Sequence, residues 1–168
     1  MAQTSPAGIK VADIPQIGIV VSDIQSTVES YWNILGIGPW DIYAWEAPTV
    51  YDRKYCGKSA WAREKTAKTT VGGIELELVQ PVEGNSIYQD FIEERGEGLH
   101  HLKFLTDDVD ETAGILVKQG FPSLQSGRFG PPEHHGAFSY IKIDPLHVIW
   151  EPAHMGQGTG AQPVGCYP

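Results

Sequence analysis

Basic residues are scarce in this chain. Its 168 residues carry 12 Lys and Arg against 21 Asp and Glu, a formal net charge of −9. A nucleic-acid partner would require a basic face, so that class of function is excluded. Cysteine is scarcer still: Cys56 and Cys166 lie far apart and form neither a metal-type pair nor a disulfide framework. No apolar run approaches the length of a membrane span, and the first residues lack the basic-then-apolar pattern of a secretory leader. A cytoplasmic protein with incidental thiols and no membrane partner is expected. What is present is a hydrophobic fraction of 41% and a charged fraction of 20%. That balance suits one domain of ordinary size, or two small modules sharing a core.

The chain repeats itself. Gln16-Ile17-Gly18-Ile19-Val20-Val21 and His101-Leu102-Lys103-Phe104-Leu105 are each apolar-rich strand candidates followed by an acidic turn and an amphipathic helix. With Gln16 set against His101, Ser22-Asp23-Ile24 falls on Asp107-Asp108-Val109, Thr27 on Thr112 and Tyr31 on Leu116; after a one-residue slip, Gly36 falls on Gly120. Ser22 or Asp23 caps a helix over about 24–35 that buries Ile24, Val28, Tyr31 and Leu35, with Gly36 as its stop. The second helix of this kind covers about 109–119.

Each half therefore reads strand–helix–strand–strand–strand. A unit of that plan leaves one sheet face open, so two units are expected to pack together around a cavity, giving an α+β fold of two tandem βαβββ modules. The expected division is an N-terminal arm over 1–13, a first module over 14–82, a linker with a short helix over 83–98, a second module over 99–153, and a flexible tail over 154–168. The 47–66 segment concentrates Tyr51, Arg53, Lys54, Tyr55, Lys58, Trp61 and Arg63 in an otherwise acidic chain. It reads either as a solvated loop with surface strands or as a lid or wall that recognises an anionic substrate.

Four residues stand out by their place in the repeat. Gln16 and His101 occupy equivalent points of the first strand of each half, and Glu77 and Glu151 the last strand. One amide, one imidazole and two carboxylates make an O/N-rich ligand set for a divalent cation such as Zn, Ni, Co, Mn or Fe. The two carboxylates would neutralise a dication and so reduce the cost of burying it.

The runs Gln16-Ile17-Gly18-Ile19-Val20-Val21-Ser22-Asp23, Glu77-Leu78-Val79-Gln80-Pro81, Gly98-Leu99-His100-His101-Leu102 and His147-Val148-Ile149-Trp150-Glu151 resemble the vicinal oxygen chelate superfamily. That group includes glyoxalase I, methylmalonyl-CoA epimerase, extradiol dioxygenases and bleomycin-resistance proteins. The resemblance spans roughly residues 14–153. It implies paired βαβββ modules, a metal held at Gln16, Glu77, His101 and Glu151, and a homodimer by family analogy. Many members have His at the position of Gln16. The Gln/Glu/His/Glu set instead resembles zinc-type glyoxalase I and disfavours the extradiol dioxygenases.

Strand parity adds Lys103 to the cavity face beside His101 and turns His100 away; it also pairs Glu75 with Glu77, and His147 with Glu151. Lys103 and Glu75 are the candidate substrate-binding groups. His134 and His135 read as an exposed turn. The expected activity is proton transfer on a small carbonyl or carboxylic-acid compound, by an isomerase, epimerase or lyase whose catalytic carboxylates are Glu151 and Glu77. The alternatives are an Fe-dependent dioxygenase on the same scaffold and a metal-free binding protein of the bleomycin-resistance type.

Overall fold

The computed structural model describes residues 6–157 and 161–168. The expected arm over 1–13 therefore lies partly outside the described residues. The first half opens with β1 (Gln16–Val20), in which Gln16, Gly18 and Val20 are buried in strict alternation. Helix α1 (Ile24–Leu35) follows, capped by Asp23, whose side chain accepts from the Ser26 N–H at 3.2 Å. Gly36 ends it in the left-handed conformation (φ 67°) that glycine adopts without a Cβ penalty. Ile24 and Val28 are buried as expected, but Leu35 is 64% exposed. The apolar stripe ends one turn earlier than the periodicity predicts.

Four strands follow β2 (Trp40–Trp45) in the chain: β3 (Val50–Tyr55), β4 (Lys58–Ser59), β5 (Ala62–Val71) and β6 (Ile74–Gly84). Helix α2 (Ile87–Arg95) leads to β7 (Gly98–Leu105), α3 (Val109–Lys118), β8 (Ser123–Phe129), β9 (Gly136–Ile143) and β10 (Val148–His154). The tail, expected to carry no core element, contributes β11 (Gly165–Tyr167), which pairs with β2.

All the strands join one sheet in the order β11-β2-β5-β6-β1-β7-β10-β9-β8-β3-β4. The repeat is visible at its centre. β1 runs parallel to β6, β7 runs parallel to β10, and β1 and β7 meet antiparallel. The register sets Gly18 opposite Glu77 and Lys103 opposite Glu151, while across the β1–β7 seam Gln16 faces Lys103 and Gly18 faces His101. A local two-fold axis at the seam therefore exchanges Gln16 with His101 and Glu77 with Glu151.

The 47–66 segment is built of strands and supplies part of a cavity wall through Val50, Arg53 and Glu64. Its β3 leaves the first half and pairs with β8 at the edge of the second. Helix α1 packs on one sheet face through Val21, Ile24, Val28, Trp40, Ala67 and Leu78. Leu116 of α3 meets Ile141 and Ile143 in a second core. A third cluster of Val20, Val79, Ile87, Tyr88 and Tyr140 holds α2 against the inner end of the sheet. No helix among the described residues is long and apolar enough to cross a membrane.

Candidate active site

Although β3 and β5 are far apart in the strand order, Arg53 of β3 forms a buried, two-pronged ion pair with Glu64 of β5; one prong, Nη2 to Oε2, is 2.8 Å. The sheet must therefore curl until its two ends face each other. The space so enclosed is a cavity open to solvent at its mouth. Its apolar wall includes Trp45, Val50, Phe129, Phe138 and Met155, and its polar wall Glu77, Lys68, Lys103 and Glu151.

Three residues of the predicted quartet, Glu77, His101 and Glu151, come together against this wall, and Gln16 lies two residues before Gly18 on the adjoining strand. His101 is fully buried, and its Nε2 lies 3.4 Å from Glu77 Oε2 and 3.4 Å from Glu151 Oε2. Room for its ring exists because position 18 has no side chain: a Cβ there would stand 1.9 Å from His101 Cε1. Gln16, buried on the same face of β1 as Gly18, donates through Nε2 to Glu75 Oε1. That contact occupies the amide nitrogen and leaves Gln16 Oε1 without a hydrogen-bond partner; His101 Nε2 and Glu151 Oε2 are likewise buried without a hydrogen bond, although they face each other at 3.4 Å.

Three unsatisfied lone-pair donors in one buried region need an explanation, because buried polar atoms are otherwise almost always paired. A divalent cation provides one. Donor separations of 3.4 Å match neighbouring ligands at about 2.0–2.2 Å from a tetrahedral metal. The amide oxygen, imidazole nitrogen and two carboxylates suit a borderline dication, so the residues fit the group. Among the described residues, however, no three His, Cys, Asp or Glu side chains close into a complete ligand cluster. The carboxylates are turned partly toward lysines: Lys68 Nζ is 2.9 Å from Glu77 Oε1, and Lys103 Nζ is 3.6 Å from Glu151 Oε2.

The two glutamates differ electrostatically. Burial opposes ionisation of Glu77, but Lys68, His101 and Lys103 prevail and hold its carboxyl well below the usual range. Burial prevails at Glu151 and raises its carboxyl despite Lys103 and His101. Burial also presses the Tyr88 and Tyr140 hydroxyls well upward; their oxygens are 2.7 Å apart.

Three sequence expectations, for His100, Glu75 and His147, are corrected here. Simple alternation turns His100 to the opposite face, but β7 carries a bulge against β1: Gly18 pairs with His101 and Ile19 with Leu99, so His100 is the extra residue. Its ring packs instead against Tyr88 and Tyr140 on the inner side, and its Nδ1 lies 3.0 Å from His101 Nδ1. When His101 supplies the proton of that contact, its Nε2 lone pair is left facing Glu77 and Glu151. Glu75, expected to bind substrate, does not line the cavity; it holds the Gln16 amide and lies 3.6 Å from Lys68. Lys103 does line the cavity. His147 stands exposed before β10 with φ 57°, and His134 and His135 line a different surface hollow beside Asp107 and Arg128.

Lys68 and the Arg53–Glu64 clasp were not singled out from the sequence. For Lys68 a signal existed. The Gly72-Gly73 turn pairs Val71 with Ile74, and counting back along that hairpin sets Lys68 opposite Glu77.

A family model described as "Glyoxalase/Bleomycin resistance protein/Dioxygenase superfamily" matches residues 15–140. Among curated proteins, the uncharacterized protein YqjC of Bacillus subtilis (strain 168) is 29% identical over 106 residues, 63% of this chain. The match spans 66% of that relative's length, just under two thirds. Among solved structures, hypothetical protein BH1468 from Bacillus halodurans C-125 is similar with a TM-score of 0.57 at 20% identity, covering 84% of this chain and 92% of that one. A methylmalonyl-CoA epimerase in complex with methylmalonyl-CoA and NH4+ is similar with a TM-score of 0.55 at 26% identity, covering 86% of this chain and 94% of that one.

Proposed function

Because the chain belongs to the glyoxalase/bleomycin resistance protein/dioxygenase superfamily, we propose that it is a metal-dependent enzyme of the vicinal oxygen chelate type. It moves a proton on a small carbonyl or carboxylic-acid compound, as an epimerase, isomerase or lyase. The observation that carries this reading is the set of buried donors without hydrogen bonds, Gln16 Oε1, His101 Nε2 and Glu151 Oε2. The likeness to an epimerase at 26% identity favours epimerase chemistry over the other two.

Gln16, Glu77, His101 and Glu151 would hold a divalent cation, which would supply Lewis-acid stabilisation of negative charge on a substrate oxygen. The chain's own residues do the rest. Glu151, whose carboxyl burial raises, is the base that takes the α-proton once it loosens from the cation. Glu77 is the second carboxylate of the wall, kept ionised by Lys68, His101 and Lys103. Trp45, Phe129 and Phe138 exclude water, which strengthens every charge interaction inside.

Glu151→Gln is expected to abolish turnover, a loss on the order of 100-fold or more, with modest change in fold stability. The measurement is exchange of the substrate α-proton into D2O, with methylmalonyl-CoA and small 2-substituted acids as trial substrates. Full activity in Glu151→Gln would remove Glu151 as the base.

A further inference from the structure

The mechanism gives Lys68 and Lys103 no task toward the substrate. Both line the cavity and are largely enclosed, with side-chain exposures of 17% and 10%. Each sits directly across the strand ladder from one glutamate of the quartet: Lys68 opposite Glu77, Lys103 opposite Glu151. The arrangement is not a copied feature of the repeat, because the two-fold equivalent of Lys103 is Gly18 and Lys68 stands on β5. Lys68 Nζ also rests 5.6 Å from the centre of the Trp45 ring, on the apolar side of the same cavity.

Charge accounting gives these lysines a purpose. Glu77 and Glu151 contribute −2 and the lysines +2, so the four groups are neutral together without a cation. The Arg53–Glu64 pair is neutral by itself. When a divalent cation occupies the two glutamates, their charge is spent on it, and two enclosed ammonium groups stand without partners apart from Glu75 beside Lys68. An unpartnered buried charge is costly, so the metal-loaded cavity demands an anion.

We propose that Lys68 and Lys103 form a carboxylate clamp that is closed on Glu77 and Glu151 in the metal-free protein and opens toward substrate when the metal binds. The clamp rests on the metal-dependent reading above and narrows its substrate to an organic acid. The carboxylate lies between the two ammonium groups and the apolar body against Trp45, Phe129 and Phe138. Metal and anion then bind cooperatively, each raising the affinity for the other by the same factor, as linkage requires.

Calorimetry on chelator-stripped and Co(II)-loaded protein tests this, with benzoylformate as the probe and methyl benzoylformate as its uncharged counterpart. Benzoylformate is expected to bind the Co(II)-loaded protein about tenfold or more tightly than the stripped protein, whereas the ester shows no such preference. Lys68→Met and Lys103→Met each remove a competitor for a glutamate. Each should therefore bind Co(II) more tightly than wild type while losing benzoylformate affinity. Lys103→Arg keeps the charge and should retain the coupling, which separates the clamp from a packing role. If wild type binds Co(II) but the Met variants bind it more weakly and hold benzoylformate as before, the clamp is wrong and the metal reading stands. If wild type binds no Co(II), the metal reading fails and takes the clamp with it.

Discussion

Replacing Gly18 with alanine is expected to dismantle the site through a single methyl group. The new Cβ would stand 1.9 Å from His101 Cε1, 2.2 Å from Nε2 and 2.3 Å from Nδ1. No atom pair tolerates such distances, and the ring has little freedom to retreat. It is fully buried, Tyr140 lies 5.0 Å away ring to ring, and His100 holds its Nδ1 side. Gly18 has no unusual backbone angle, so alanine brings no conformational strain and the effect is steric. Overpacking of this kind costs about 1–3 kcal/mol of stability. The larger loss falls on metal affinity, by about 100-fold, because His101 Nε2 no longer meets Glu77 and Glu151. Thermal melting and a Co(II) titration of Gly18→Ala report both effects. Wild-type metal affinity in that variant would mean that the His101 ring is not held where the ladder puts it.

The second large effect concerns the clasp. Arg53 and Glu64 are both buried, and burial raises the Glu64 carboxyl even though Arg53 pulls it back. Removing one partner strands the other charge in the cavity wall, so Arg53→Met or Glu64→Gln alone is expected to cost about 3–5 kcal/mol. Removing both, as Arg53→Met with Glu64→Leu, should recover most of that loss, since a well-packed apolar pair often replaces a buried ion pair at little cost. Denaturant unfolding of the three variants measures it. A single variant as stable as wild type would show that the two edges of the curled sheet are not joined by this pair.

The sequence disclosed the candidate residues of the inner face more fully than the pairings that build the wall around them. Gln16, Glu77, His101 and Glu151 could be read because a repeat places equivalent residues at equivalent depths. The two-fold seam between β1 and β7 is the physical counterpart of that repeat. Lys103 followed from alternation, since parity survives between His101 and Lys103. His100 did not, because a one-residue bulge breaks parity locally and leaves no mark in composition. Glu75 was given the right face but the wrong partner: a neighbouring amide claimed its carboxylate first.

The 47–66 segment stands where its reading as a wall puts it, through Val50, Arg53 and Glu64, but its pairing was hidden for a different reason. Its β3 pairs with β8, a partner distant in the chain, and a stretch rich in charge shows no strong apolar alternation. Arg53 and Glu64 recognise each other only once the sheet has curled. The tail strand β11 is short and leans on β2 for its pairing, so it too depends on tertiary context.

The account rests on one claim, that the amide, imidazole and two carboxylates on the inner face hold a divalent cation. Titration of chelator-stripped wild type and His101→Ala with Co(II), followed by visible absorption, tests it most directly. One equivalent bound by wild type with ligand-field bands, and at least tenfold weaker binding in His101→Ala, is the predicted result. Equal binding by the two proteins, or none by wild type, would contradict it.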